Sequence, residues 1–511
     1  MKTNLTNNLL RSSINLLVTG ILVMASCQKP TEVDPTDDPT PGTAETGTVT
    51  KTSTWNGTST VGAHEAASDY VWNASDVVPI KLNGTSITIG GAGATASGSV
   101  VTITSAGTYS LSGSLTNGQV IVNAKDAVVR LILDGVNIHS SVNAPVYVKK
   151  AEKVVLVLAD NSTNVLTDAA NYTYDVPADE EPNAAVFSKS DLTIFGTGTL
   201  DVTGNFGDGI VSKDGLIVKS GNITVKSADD AIRGKDYLVI NDGKITIDAK
   251  ADGLKSSNDS DAALGYVIID KGDISITSGD DGVHAETSLT INGGTVSILK
   301  SYEGLEGQAI TVNAGTIHIT SSDDGINAAS TARSGNTLTI NGGYMFVDAN
   351  GDGLDANGSI VMTGGVVIVA GPTASNNGAL DYDATFNITG GYLLAVGSSG
   401  MAQAPGTSST QNSVLIGLTS AQAAGTVINL QSGDGKSLFT FQPSKKFQSI
   451  AFSSPGLTNG SSFSVYTGGT ATGTATDGLY QEGTYTSGTK FADFTVSTAV
   501  TKVGTTGGGG R

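Results

Sequence analysis

The chain has 511 residues, 28 basic against 47 acidic side chains, and a formal net charge of −19. That balance excludes the basic surface on which nucleic-acid affinity rests, and it permits an acidic polymer only through bridging cations. Aromatic residues are 5% of the chain and glycines number 66, well above the usual ~7%, so a turn-rich β architecture is expected rather than a compact enzyme with a large aromatic core.

The N-terminus reads as a targeting segment. Lys2 and Arg11 precede an apolar run, 14–25, that is too short to span a bilayer. It ends Val23-Met24-Ala25-Ser26-Cys27, which resembles a bacterial lipobox, and Cys27 is the only cysteine. A lone cysteine in an exported chain has no internal disulfide partner, so lipid attachment is its expected use, anchoring the protein to a membrane without a transmembrane helix. Residues 1–26 are therefore read as a lipoprotein signal peptide. Residues 27–60, rich in Pro, Thr, Asp and Glu, are read as a solvated tether. The expected location is the outer membrane or the cell surface.

Residues 61–183 are strand-rich but irregular. Val129-Arg130-Leu131-Ile132-Leu133 and Val154-Val155-Leu156-Val157-Leu158 are runs suited to buried strands, expected in an N-terminal cap and first irregular coils. The acidic stretch 171–182 reads as a surface loop.

From residue 184 to 410 one phrase recurs: Asp208-Gly209-Ile210, Asp230-Ala231-Ile232, Asp252-Gly253-Leu254, Asp281-Gly282-Val283, Glu303-Gly304-Leu305, Asp324-Gly325-Ile326, Asp352-Gly353-Leu354. The steps cluster near 22 residues. A second phrase, such as Ile291-Asn292-Gly293-Gly294 and Ile340-Asn341-Gly342-Gly343, keeps the same period. Apolar/polar alternation between the phrases is strand periodicity. The predicted fold is all-β, a parallel β-helix (solenoid) with an N-terminal cap and a C-terminal β-sandwich-like cap.

Stacked coils about 4.8 Å apart would align the acids as an outward-facing ladder, and neighbouring charges at that spacing repel by roughly 1–3 kcal/mol. Turn carboxylates accepting backbone N–H bonds are one explanation. Hard divalent cations, above all Ca2+, are the other. The candidate metal ligands are Asp208, Asp214, Asp229, Asp230, Asp236, Asp252, Asp280, Asp281, Asp323, Asp324 and Asp352. Three residues after each acid stands a second column, Val211, Arg233, Lys255, His284, Glu306, Asn327, Asp355, Asp381, basic first and acidic later. Lys213, Arg233, Lys235, Lys255, Tyr237 and His284 are the candidate carbohydrate contacts: cations to clamp sugar carboxylates and a ring to stack on a sugar. For His284, a single histidine on an outward face, a plain surface residue is the readier reading, with a ligand or acid role as the other. Insertions at 256–265 and 328–336 fall at one corner of the coil, where solenoid loops shape binding faces.

Asp229-Asp230-Ala231-Ile232-Arg233-Gly234-Lys235-Asp236, the run 351–358, and the stretch through Leu380-Asp381-Tyr382 to 397–405 resemble a family of secreted bacterial carbohydrate-binding proteins. The likeness covers about residues 60–500. It implies a right-handed β-helix with bound calcium, similar to pectate lyases, that binds cellulose and polygalacturonate-type polysaccharides.

The phrase stops before 411. Strands at sandwich-like spacing follow, so 411–500 is read as a C-terminal β domain and 501–511 as a flexible tail. Three functions fit: a lipid-anchored, calcium-dependent and non-catalytic binder of acidic or plant cell-wall polysaccharide; a calcium-dependent pectate-type lyase using Lys213, Arg233 or Lys255 as base; or a structural or adhesive surface solenoid.

Overall fold

A computed structural model describes residues 64–506, apart from 175, 177 and 179. The expected signal peptide, the whole tether, Cys27 and the glycines at 507–510 lie outside the described residues. The chain is all-β, a parallel solenoid of about 11 turns. No helix among the described residues is long and apolar enough to cross a membrane.

Each turn contributes strands to three parallel ladders. The first, called here the rung sheet, stacks Asp208–Ser212, Ile232–Gly234, Leu254–Ser256 and Val283–Ile291 in strict register, with Ile210 on Ile232, Leu254 and Val283. The second stacks strands such as Gly215–Val218 and Tyr237–Ile240. The third stacks strands such as Asn222–Ser227 and Lys244–Asp248. Parallel pairing reaches back before the expected start at residue 184: Ala184–Ser188 pairs with Val146–Lys150, which pairs with Gln119–Asn123. Those earlier strands lack the acid-glycine phrase and so hide the same period.

The solenoid is filled by aliphatic columns. Ile210, Ile232, Leu254, Val283, Leu305, Ile326 and Leu354 are all fully buried, each contributing roughly 1.5–3 kcal/mol by leaving water. The second phrase explains its own asparagines. Asn292 donates to Asp270, Asn313 to Asn292 and Asn341 to Asn313, at 2.8, 2.8 and 2.9 Å, a polar seam up one corner. The glycine ending the phrase turns the chain there with φ of +80° at Gly294 and +85° at Gly343, where only glycine is at ease.

Beyond the last coil, Tyr392–Gly397 pairs antiparallel with Phe447–Ser453, and this strand pairs antiparallel with Ser413–Gln422. An antiparallel partner blunts the solenoid edge that would otherwise template association. A six-stranded sheet packs on this layer through Phe439, Phe441, Phe452, Phe463 and Val465, all buried.

Candidate functional site

The acid column exists, but it does not face outward in its first half. Asp208, Asp230, Asp252 and Asp281 are 0–5% exposed. The cause is a repeated bond. Asp208 Oδ1 accepts the Asp230 N–H (3.0 Å), Asp230 Oδ1 the Asp252 N–H (3.1 Å), and Asp252 Oδ1 the Asp281 N–H (2.9 Å). Each carboxylate thus satisfies a backbone donor of the coil stacked on it, which draws it inward. The same bond returns at Asp324 to Asp352 (2.6 Å) and Asp352 to Gly378 (2.5 Å).

The second oxygen of each buried acid meets the basic residues of the adjacent column, whose register is as expected. Arg233 bonds Asp208 Oδ2 and lies 3.6 Å from Asp230. Lys255 Nζ is 2.5 Å from Asp252 and 3.5 Å from Asp230. Burial opposes charge on Lys255, but Asp252 and Asp230 outweigh it and raise its pKa. Burial pushes Asp208 up to about 7 despite Arg233.

His284 is no plain surface residue. Its Nδ1 lies 3.0 Å from Asp281 and also bonds Glu306. Burial would lower its pKa, but these two carboxylates raise it to about 10. Asp281 is pushed up, mainly by burial. Glu306 is held down: burial opposes this, and bonding to His284 and Asp281 prevails.

Toward the C-terminus the column turns acidic. Glu303 and Asp324 are each pushed up to about 7 by burial, and Asp355 to about 8 by burial and the charges of Asp324 and Asp352. No ion pair to Asp324, Asp355 or Asp381 occurs among the described residues. One residue before the rung acids runs an exposed-edge column, fixed by backbone bonds: Asp229, Ala251, Asp280, Tyr302 and Asp323.

The candidate ligands and cations of the first rungs divide in two. Asp208, Asp229, Asp230, Asp252, Arg233 and Lys255 stand together. Asp214, Lys235 and Asp236 sit at the far end of the rung strand, because a short strand separates the corners. There Asp236 accepts from Asn258 (2.6 Å), and Asp191 and Asp236 help to raise the pKa of Asp214, chiefly a burial effect. Lys213 turns away to Glu181 (2.7 Å), which also holds Lys189 (2.8 Å). The loop at 171–182 is thereby tied to the first rungs. Tyr237 is 3% exposed; it belongs to the second sheet, stacked on Tyr266 and covered by His64, so it offers no face to a sugar. The exposed rings lie elsewhere: Phe206, stacked on Tyr172 (4.2 Å), and Tyr302. Both stand one or two residues before a rung acid.

Three groups have ligand atoms within 4.8 Å of one another: Asp208/Asp229/Asp230, Asp252/Asp281/His284 and Asp281/Glu303/Glu306. Calcium takes six to eight oxygens. The third group is all oxygen and partly open, the donor type calcium prefers, but His284 bonds both Asp281 and Glu306 and would have to yield those oxygens to an ion. In the first group Arg233 already occupies one Asp208 oxygen, and in the second an imidazole replaces an oxygen, so both fit less well. Asp280 and Asp323 are neighbours of this run, and Asp352 lies two rungs beyond it. The two insertions at 256–265 and 328–336 are joined by Arg333, which donates to the Glu286 and Asp259 carbonyls at 3.2 and 2.8 Å.

Fold and face together define a parallel β-solenoid with a charged rung face. Residues 97–343 match the family model described as carbohydrate-binding domain-containing protein, so the resemblance read from the sequence holds over that segment. A protein of that description from Acetivibrio thermocellus is 47% identical over 128 residues, 25% of this chain and 45% of the relative; the chain thus spans less than half of that relative's length. A solved structure, titled as a gadolinium derivative of the polysaccharide lyase-like protein from C. thermocellum, shares 36% identity over 47% of this chain and 93% of that one, with a TM-score of 0.43.

Proposed function

We propose that this protein is a calcium-dependent, non-catalytic binder of acidic polysaccharide, tethered to the outer membrane or cell surface through a lipid on Cys27. The observation that carries the reading is the change along one strand register from Arg233 and Lys255 to His284 and Glu306, next to the all-oxygen group Asp281/Glu303/Glu306. A uronate chain lying along the solenoid would meet cations at one end. At the other end it would need a divalent ion between its carboxylates and these acids. Phe206 and Tyr302 flank the stretch, about four coils apart, roughly 19 Å at solenoid spacing, and offer stacking faces. The family match to a carbohydrate-binding domain supports the ligand class.

Lyase chemistry is the weaker reading. A base for the C5 proton must give up its own proton near the working pH. Lys255 has its pKa raised, Arg233 is paired with two carboxylates, and Lys213 is held by Glu181.

Electrophoresis through gels containing polygalacturonate tests the proposal. Retardation with calcium that disappears with chelator is expected, and retardation indifferent to chelator removes the metal bridge. A calcium-dependent rise in unsaturated-uronate absorbance would overturn the non-catalytic part. Loss of membrane fractionation and of fatty-acid labelling in Cys27→Ser is expected for the anchor.

A further inference from the structure

The C-terminal six-stranded sheet carries a polar cleft apart from the acid column. In this sheet the strands run Thr474–Thr476, Leu479–Gln481, Ser437–Phe441, Ile428–Ser432, Ser462–Ala471 and Tyr485–Thr495. The links at 472–474 and 482–484 therefore join one edge of the sheet to the other, and Thr472 pairs with Thr484 across them. The sheet curls, and its concave side encloses a cleft of about 290 Å³.

Alternation decides what lines this cleft. Ile428 and Leu430 point into the phenylalanine core, as do Phe439 and Phe441. Gln431 and Thr440 point the other way and line the cleft with Tyr480, Tyr485, Glu482 and Thr484. Asn429 shares that polar face and is fully buried. Its amide nitrogen donates to Ser437 Oγ (2.8 Å) and Thr440 Oγ1 (2.8 Å), while its Oδ1 has no hydrogen-bond partner among the described residues. Asn429 is not part of the cleft lining; it lies beneath it and holds Ser437 and Thr440, which are. Glu482 stands in the left-handed region, φ +58°, unusual for a residue with a Cβ.

The lining contains hydroxyls, amides, one carboxylate and two phenol rings, and neither lysine nor arginine. Such a set satisfies hydroxyl donors and acceptors and offers apolar ring faces. It gives nothing to pair with an anion, and Glu482 repels one. We infer that this cleft binds a neutral sugar unit without metal, separately from the acid column. Two sites of different selectivity on one chain would let it engage a mixed polysaccharide by avidity.

The test uses the full chain in chelator, with cellohexaose, xylohexaose and mannohexaose as probes in isothermal titration. At least one is expected to bind, and Gln431→Ala, Tyr480→Ala and Glu482→Gln are each expected to weaken that binding by about tenfold, as truncation of a central contact does, while melting temperature stays unchanged. Because Gln431 is only half-buried and Glu482 is exposed, at least these two variants are suited to a folded comparison, and saturation-transfer NMR on the unmodified chain reads binding independently. No binding of any probe at millimolar concentration overturns the inference, as does binding untouched by the folded variants. Tri-galacturonate binding equally well in chelator would overturn the neutral class. Since no calcium is present, failure here says nothing of polyuronate retardation, and the reverse holds too.

Discussion

The first and second halves of the acid column share one turn and one backbone bond, yet they solve the charge problem differently. At Asp208, Asp230 and Asp252 the neighbouring column supplies Arg233 and Lys255, so buried carboxylates meet cations at every rung. At Asp324 and Asp352 the same column supplies Asn327, Asp355 and Asp381, and Asp324 and Asp355 answer by holding protons near neutrality. The turn needs a carboxylate or amide for its backbone bond. What stands three residues later decides whether the charge is internally balanced or left for an external cation.

Breaking the balanced half should have the largest effect. Arg233→Ala leaves Asp208 buried without its counterion and is expected to cost about 3–5 kcal/mol, seen as a lowered denaturant midpoint. Pairing Asp208→Asn with Arg233→Met should recover most of it, since the asparagine keeps an acceptor for the Asp230 N–H.

In the unbalanced half the sign reverses. Asp355→Asn removes a like charge at rung spacing and should stabilise by roughly 1–3 kcal/mol at pH 8.5, with little effect at pH 5. The folded values of Asp324 and Asp355 lie above the ordinary 3.8, so the native state keeps protons the unfolded chain has released. Their contribution therefore falls as pH rises between about 4 and 8. Melting in chelator across that range should show the decline, and added calcium should flatten it. By contrast, the His284 contribution is full below about 6.5 and is lost only as pH passes about 10.

Smaller effects probe the scaffold common to both halves. Asn313→Ala interrupts the asparagine seam between Asn292 and Asn341 and should cost about 1 kcal/mol. Arg333→Ala releases two surface loops and should cost less than about 1 kcal/mol, read best as faster amide exchange at 256–265.

Much of this was legible in the chain. The 22-residue phrase determined the solenoid, and counting three places from each acid located Arg233, Lys255, His284 and Glu306 on neighbouring coils, because parallel stacking preserves register. The asparagine seam was written in the second phrase. The coils before 184 were obscured, since their turns carry other residues while their strands pair in the same way.

Which way the side chains point was a tertiary decision. Alternation suggests an outward Asp208, but the N–H of the next coil, more than twenty residues away, draws it inward. Tyr237 reads as a sugar platform until His64 and Tyr266, from distant parts of the chain, cover it. The cleft between Gln431 and Glu482 exists only because the last sheet curls until its edges are joined. A repeat in the sequence determines which residues are stacked, because backbone hydrogen bonding between coils is periodic. What covers, pairs or encloses them depends on contacts between segments that carry no common period.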